Sequence, residues 1–497
     1  MLAQFLAALT GATLLINIVF AVVVVFYERK NPSVTWAWLM LVLLAPYIGF
    51  FFYLLFGLES KKVRVFAKKA RGDEALAVKY RDKKINGYRE AEEQYKLIGG
   101  DFSEPVGGGI KDIIGSTHFD DVLYLNLVSA HGVLSSNNHV DVFHEGVGKF
   151  DALISDIMGA KKFVHMEYYI FKADALGKRV LDALAAKAAE GVEVRLLLDG
   201  MGCARTPRKF FSPLLQNGGK LAIYTPRQLV RINFRNHRKI AVIDGIIGYN
   251  GGLNIGNEYL GEGYRFGHWR DCHLRIAGEA VRQLQLRFMS DWNFSGTGKI
   301  DLDNRYFPEI GETYGNTRMQ VVSSGPDAKW DSIAYALAKL INEADHSIYI
   351  QTPYFVPDDN ILGSLRIAAL SGKDVRIMIP GKPDHLFVYG AAMSYLGELI
   401  PAGVKCYRYE NGFVHSKLMV IDEKISTVGT ANMDIRSFKL NFETNSFVYC
   451  EEVSSKIAAQ FIKDLDDCTA IDLEFYKNRS RPEKISESVS RLLSPLL

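Results

Sequence analysis

One pattern of residues occurs twice in this chain, about 180 residues apart, and only a duplicated architecture accommodates it. In the first copy, Phe150 to Met158 carries apolar residues at helical spacing and leads into a β-rich run at 163–171. A helical pattern and a second β-rich run at 191–198 follow. In the second copy, Trp330 to Ala344 leads into a run at 348–356, and the later run is 372–379. Short β-rich runs alternating with helix-length segments argue for α/β units. A repeat this long means duplicated domains, not a solenoid of short units.

The third matching element carries chemistry. His237, Lys239 and Asp244 are followed by Gly251, Gly252 and Asn254; His415, Lys417 and Asp422 are followed by Gly429, Thr430 and Asn432. In both copies His to Lys is two residues, His to Asp seven and His to Asn seventeen. The tetrads Ile240–Ile243 and Leu418–Ile421 read as buried strands. On an extended segment side chains at i and i+2 share a side, so each His projects with its Lys. Halves facing each other across a pseudo-twofold would gather two imidazoles and two ammonium groups in one pocket.

That set suits a phosphodiester. Lys239 and Lys417 would supply fixed positive charge to its oxygens, and Asn254 and Asn432 neutral hydrogen bonds. One imidazole could attack phosphorus while the other serves as general acid and then base, since histidine titrates near cellular pH. The scheme calls for no metal and no cofactor. Asp244 and Asp422 complete the repeated catalytic motif, yet sit farther along their strands and are expected to support structure more than to touch substrate. Gly251, Gly252, Gly429 and Thr430 are expected at the substrate.

The spacing His-x-Lys-x4-Asp-x6-Gly-(Gly/Ser/Thr)-x-Asn resembles the signature of the phospholipase D superfamily. That resemblance implies two similar phospholipase D-like α/β domains related by a pseudo-twofold. It also implies an acidic residue downstream of each motif that orients an imidazole, for which Asp271 and Glu443 are the candidates. By the same analogy His237 is the nucleophile and His415 the acid/base. His165, His273 and His385 fall outside the repeat and are expected to be structural.

The first sixty residues narrow the reading. Met1 to Tyr27 and Asn31 to Leu58 contain no charged residue, and each run exceeds the roughly 20 residues needed to cross a bilayer. Glu28 to Pro32 reads as the turn of a hairpin. A signal peptide would open with positive charge and end after one shorter stretch. Lys61, Lys62, Arg64, Lys68, Lys69 and Arg71 follow the second run, which places the body of the protein in the cytoplasm by the positive-inside bias. The same cluster could hold anionic headgroups. The expected division is 1–58 transmembrane hairpin, 59–130 basic connecting region, 131–315 first domain and 316–497 second domain with a C-terminal helix. From Ile485 to Leu497 apolar positions fall near helical spacing, and this helix is expected to pack on the body, with the bilayer surface as the alternative.

Five scattered cysteines give neither a disulfide framework nor a zinc spacing. The net charge of +3 names no polyanionic partner. The stretch 200–243 nevertheless has no acidic residue and carries Arg205, Arg208, Lys209, Lys220, Arg227, Arg231, Arg235, Arg238 and Lys239. Such a stretch could track nucleic acid or receive lipid phosphates; the two apolar runs favour lipid. Asp199 to Arg205 resembles the start of a metal-dependent CDP-alcohol phosphotransferase motif, but has one residue too many and lacks the partner aspartates. The hairpin, the segments 268–271, 429–437 and 441–443, and the final Arg491 to Leu497 resemble the bacterial cardiolipin synthases from end to end. This implies condensation of two phosphatidylglycerols through a phosphohistidine, at the inner membrane, with phosphatidylglycerol and other anionic phospholipids as partners and no nucleic acid. A hydrolase, another transphosphatidylase or a nuclease of the superfamily is the alternative.

Overall fold

Each β-rich run of the repeat becomes a strand in one of two sheets built to the same plan. The computed structural model describes residues 118–494 apart from 225–232, 264 and 296–297, together with 32–44, 59–82 and a few other positions between 18 and 94. The first half supplies β1 (Asn138–Phe143), β2 (Phe163–Tyr168), β3 (Glu193–Asp199), β4 (Lys220–Tyr224), β5 (Arg235–Asn236), β6 (Lys239–Ile243), β7 (Ile247–Gly251), β8 (Trp269–Arg270) and β9 (His273–Gly278). The second supplies β10 (Arg318–Ser324), β11 (Ser347–Gln351), β12 (Phe355–Val356), β13 (Asp374–Pro380), β14 (Lys405–Tyr409), β15 (Phe413–Val414), β16 (Leu418–Ile421), β17 (Ile425–Gly429), β18 (Met433–Asp434), β19 (Asn441–Tyr449) and β20 (Cys468–Ile471).

The first sheet runs β1-β9-β7-β6-β2-β3-β4 and the second β10-β19-β17-β16-β11-β13-β14, with β20 added antiparallel at its edge. Strand for strand the orders correspond. In each, β2 or β11 pairs parallel with the strand that follows a crossover helix and antiparallel with the motif strand.

Alternation along the motif strands explains how the sheets stack. Ile240 and Val242 face a core shared by both halves, while Ala241 and Ile243 face the outer helices of the first half. Leu418 and Val420 join the same shared core, while Met419 and Ile421 point to the outer helices of the second. The helices Val281–Ser295 and Glu451–Asp464 contribute Phe288, Trp292, Ile457 and Phe461 to the shared core. Both motif strands are buried on both faces, which fixes the height of the histidines at their mouths.

The helix Glu59–Asp82 belongs to this core too. Phe66 packs against Phe234, Phe294 and Phe442, and Tyr80 against Phe307. Lys69, which the sequence placed in a headgroup-facing cluster, is buried among Asp73, Asp291 and Asp327 at 2.8, 2.9 and 2.8 Å. Burial works against its charge, but Asp291, Asp327 and Asp73 outweigh it and hold the ammonium above its ordinary range. Lys69→Ala would leave those carboxylates short of a cation. It is expected to destabilise the body by about 3–5 kcal/mol, read as a lowered denaturation midpoint; an unchanged midpoint would contradict this.

At the other end, the helix Arg481–Leu493 packs on the helix Leu386–Leu399, as expected, but by its polar side. Ser490 meets Gly390, and Arg491 reaches Ser394 and Glu398. Ile485, Val489 and Leu492 remain exposed. Among the described residues no helix is long and apolar enough to cross a membrane, and the two expected spans lie largely outside those residues.

Candidate active site

The two motifs meet because each half lends the other a strand edge. β5, just before the first motif, pairs parallel with β19 of the second half, and β15, just before the second motif, pairs parallel with β8 of the first. His237 N donates to Phe442 O at 3.0 Å, and His415 N donates to Arg270 O at 2.7 Å. The residue after each of those carbonyls is a carboxylate, so the pairing delivers each acid to the imidazole of the opposite half. His237 Nδ1 lies 3.0 and 3.1 Å from the two Glu443 oxygens; His415 Nδ1 lies 2.9 Å from Asp271 Oδ2. Both carboxylates are buried. With Nδ1 committed on each ring, Nε2 is the nitrogen left for chemistry.

The carboxylates are themselves held. Thr430 Oγ1 donates to Glu443 Oε2 at 2.5 Å and Asn441 Nδ2 to Oε1 at 3.2 Å. Cys272 N donates to Asp271 Oδ1 at 2.7 Å, and Trp269 Nε1 lies 3.4 Å from Oδ2. Behind Glu443, Arg238 donates to its backbone oxygen at 3.2 Å and to Asp291 at 2.6 Å. A chain of buried charges thus runs from Lys69 through Asp291 and Arg238 to the Glu443 backbone.

The lysines sit at the centre. Lys239 Nζ donates to His237 O at 2.6 Å, and Lys417 Nζ donates to His415 O. Burial pulls Lys239 down to about 7 and Lys417 down to about 8, with Glu443 and Asp271 opposing the shift. An anion in the pocket would restore both charges. Lys417 Nζ also stands 2.9 Å from His415 Nδ1. One nitrogen cannot donate to Asp271 and accept from Lys417 at once, and a phosphate oxygen would give that ammonium a better partner. Burial, with Lys417 beside it, pushes His415 down to about 4; burial also lowers His237, but Glu443 opposes the fall.

Several expected site residues support this arrangement without facing its pocket. Asp244 and Asp422, counted with the catalytic motif, are corrected to the structural role that their place along the strands already suggests. Each lies about 16 Å along its strand from the lysine, and each has φ of +52° in the turn that follows. Asp244 accepts from the backbone N–H of Lys161, Lys162 and Phe163 at 2.7, 2.7 and 2.9 Å; Asp422 accepts from Asp345, His346 and Ser347 at 2.7 Å each. Of the residues expected at the substrate, Gly251, Gly252 and Gly429 are closely packed, and Thr430 turns its hydroxyl to Glu443. A Cβ on Gly252 would lie 1.9 Å from Asp271 Oδ1, one on Gly251 2.5 Å from His273 Cα, and one on Gly429 2.2 Å from Asn445 Oδ1. Asn254 is spent as well: its Oδ1 accepts from Ile170 N at 3.0 Å and its Nδ2 donates to Tyr259 at 3.1 Å. Asn432 differs, since among the described residues its buried Oδ1 has no partner.

His165 is structural as expected, wedged between Phe288, Gln285 and Glu193. His273 is buried with both ring nitrogens unpartnered among the described residues, and burial holds it neutral. His385 lies exposed at the start of the helix Leu386–Leu399. Sequence reasoning missed the aromatic walls: Tyr169 is 4.8 Å from His237 and 5.5 Å from the Lys239 ammonium, and Trp269 is 5.2 Å from His415. Their signal was present only as positions next to the repeated strands.

Comparison with known proteins gives the same picture at the level of families. A model described as "Cardiolipin synthase, PLD-like domain" matches residues 153–292 and again 337–465, and one described as "Phospholipase_D-nuclease N-terminal" matches 15–57. The chain is 45% identical over 498 residues to the cardiolipin synthase of Listeria monocytogenes serotype 4a (strain HCC23), covering 99% of each chain. It is 44% identical over 490 residues to the major cardiolipin synthase ClsA of Bacillus subtilis (strain 168), covering 97% of this chain and 98% of that one. Among solved structures, phosphatidylserine synthase from Haemophilus influenzae Rd KW20 is similar with a TM-score of 0.56 and 15% identity, over 72% of this chain and 95% of that chain. This last likeness bears on the fold.

Proposed function

Because this chain belongs to the cardiolipin synthase family of the phospholipase D superfamily, we propose that its two half-sites form one centre that moves a phosphatidyl group between two phosphatidylglycerols. The protein is a phosphatidyltransferase that makes cardiolipin. What carries the mechanistic reading is the reciprocal delivery of Glu443 to His237 and of Asp271 to His415, which readies one Nε2 on each side of a shared pocket.

The steps balance without an outside energy source. Nε2 of one histidine attacks phosphorus, the bond from phosphorus to the glycerol oxygen breaks, and the other imidazole gives its proton to that oxygen. Glycerol leaves, and the phosphatidyl group stays on nitrogen. The free glycerol hydroxyl of the second lipid then returns a proton to the same imidazole, attacks phosphorus and releases the histidine. One phosphodiester is exchanged for another. Lys239 and Lys417 hold the equatorial oxygens as their charge grows, and the Asn432 Nδ2–H adds a neutral donor. Exclusion of water from the covalent stage decides between synthase and hydrolase.

The two charge-free runs, matched in part by the N-terminal family model, would place this centre on a two-helix hairpin in the bacterial inner membrane, with the body on the cytoplasmic side. The purified full chain in detergent, given labelled phosphatidylglycerol alone under chelator, is expected to yield cardiolipin and glycerol in equal amounts. Activity should survive chelation because the lysines carry the charge stabilisation. Phosphatidic acid as the sole product, or strict dependence on a divalent ion, would count against this reading.

A further inference from the structure

The twofold likeness of the half-sites breaks at one point beside the reacting groups. Arg235, His237 and Lys239 alternate along one extended stretch, so Arg235 flanks His237 on the side away from Lys239, about 7 Å along the chain. The matching residue of the second half is Phe413. Its ring lies 5.1 Å from Trp269, 4.6 Å from Phe266 and 6.1 Å from His415. The flank of His415 is aromatic, and the flank of His237 is cationic.

A second cation joins Arg235 from the opposite half. Arg436 Nη2 donates to Asn233 O at 3.0 Å, and Arg235 Nη1 donates to Phe234 O at 3.2 Å. Two guanidinium groups therefore rest on adjacent carbonyls, both half-buried. Nearby Arg238 and Arg270 are each paired with an aspartate. Among the described residues Arg235 and Arg436 have no such ion pair. The carboxylates in their field, Asp199 and Asp434, are already spent on backbone N–H groups of Met201, Gly202, Asn236 and Ser437. Burial and the neighbouring Arg235 lower the pKa of Arg436 against the opposing pull of Asp434, the mark of a cation short of counter-charge. Two forked donors next to a phosphotransfer centre suit a phosphate.

The reaction brings two phosphates to the site, and the histidines and lysines serve only the one that reacts. The other stays tied to the attacking hydroxyl by a glycerol bridge. We propose that Arg235 and Arg436 hold this second, unreacting phosphate of the acceptor phosphatidylglycerol, and so select an anionic lipid over glycerol or water as acceptor. This rests on the synthase reading of the same pocket.

Exchange of labelled glycerol into phosphatidylglycerol provides the test, because it uses the phosphatidyl-enzyme but no second phosphate. In the full chain carrying Arg235→Gln and Arg436→Gln, cardiolipin formation should fall about tenfold or more relative to glycerol exchange. Arg→Lys at both positions should recover part of the loss. Parallel loss of both reactions, or full retention of both, overturns the proposal. A wild-type chain that performs neither reaction would instead sink the synthase reading itself.

Discussion

Replacing His237 or His415 with alanine is expected to stop cardiolipin formation, each alone, by on the order of 10⁴-fold or more. The two rings stand in different halves, yet each is needed in both stages of one reaction. One carries the phosphatidyl group, and the other must give and then take a proton. Neither half can compensate, because a second independent site would need a histidine pair of its own. The fold should survive: both rings sit at the mouths of strands whose tetrads hold the core without them. Product analysis with a far-ultraviolet spectrum of each variant checks this, and appreciable turnover in either one would defeat the shared site.

Glu443→Gln and Asp271→Asn keep the shape of the orienting groups and remove their charge. Each is expected to cost about 10²–10⁴-fold in turnover. The effect crosses the halves: Glu443 governs His237, and Asp271 governs His415. A structural role alone would scale the rate at every pH, but an electrostatic one moves the profile. Glu443 and Asp271 oppose the fall of their partners' pKa values. Removing either lowers its imidazole further, so the acidic limb of the rate profile should move to lower pH where that imidazole attacks phosphorus, and the basic limb where it protonates the leaving glycerol. A profile merely scaled in height would show that these carboxylates only fill space.

Much of the pocket was legible because the repeat prints it twice. His237 with Lys239 and His415 with Lys417 follow from period-two geometry, and the apolar tetrads after them announce buried strands. The crossing of the carboxylates was not legible. Glu443 stands 206 residues from His237 and Asp271 stands 144 from His415, and local sequence gives no register for pairings between β5 and β19 or between β15 and β8. Asp244 and Asp422 were legible as structural, but not in what they hold. Their fixed spacing marks them as part of the motif, but that spacing serves a turn capping three N–H groups. Lys69 misled for another reason: within a run of exposed cations only tertiary contact with Asp73, Asp291 and Asp327 reveals a buried one.

The central claim is that two half-sites make one covalent centre, and the stoichiometry of the intermediate tests it most directly. The full chain is mixed with phosphatidylglycerol labelled at phosphorus, quenched early, and the label bound to protein through an acid-labile, base-stable linkage is counted. The account predicts at most one equivalent per chain, lost in both histidine variants; two equivalents per chain, or rapid turnover with no bound label, would contradict it.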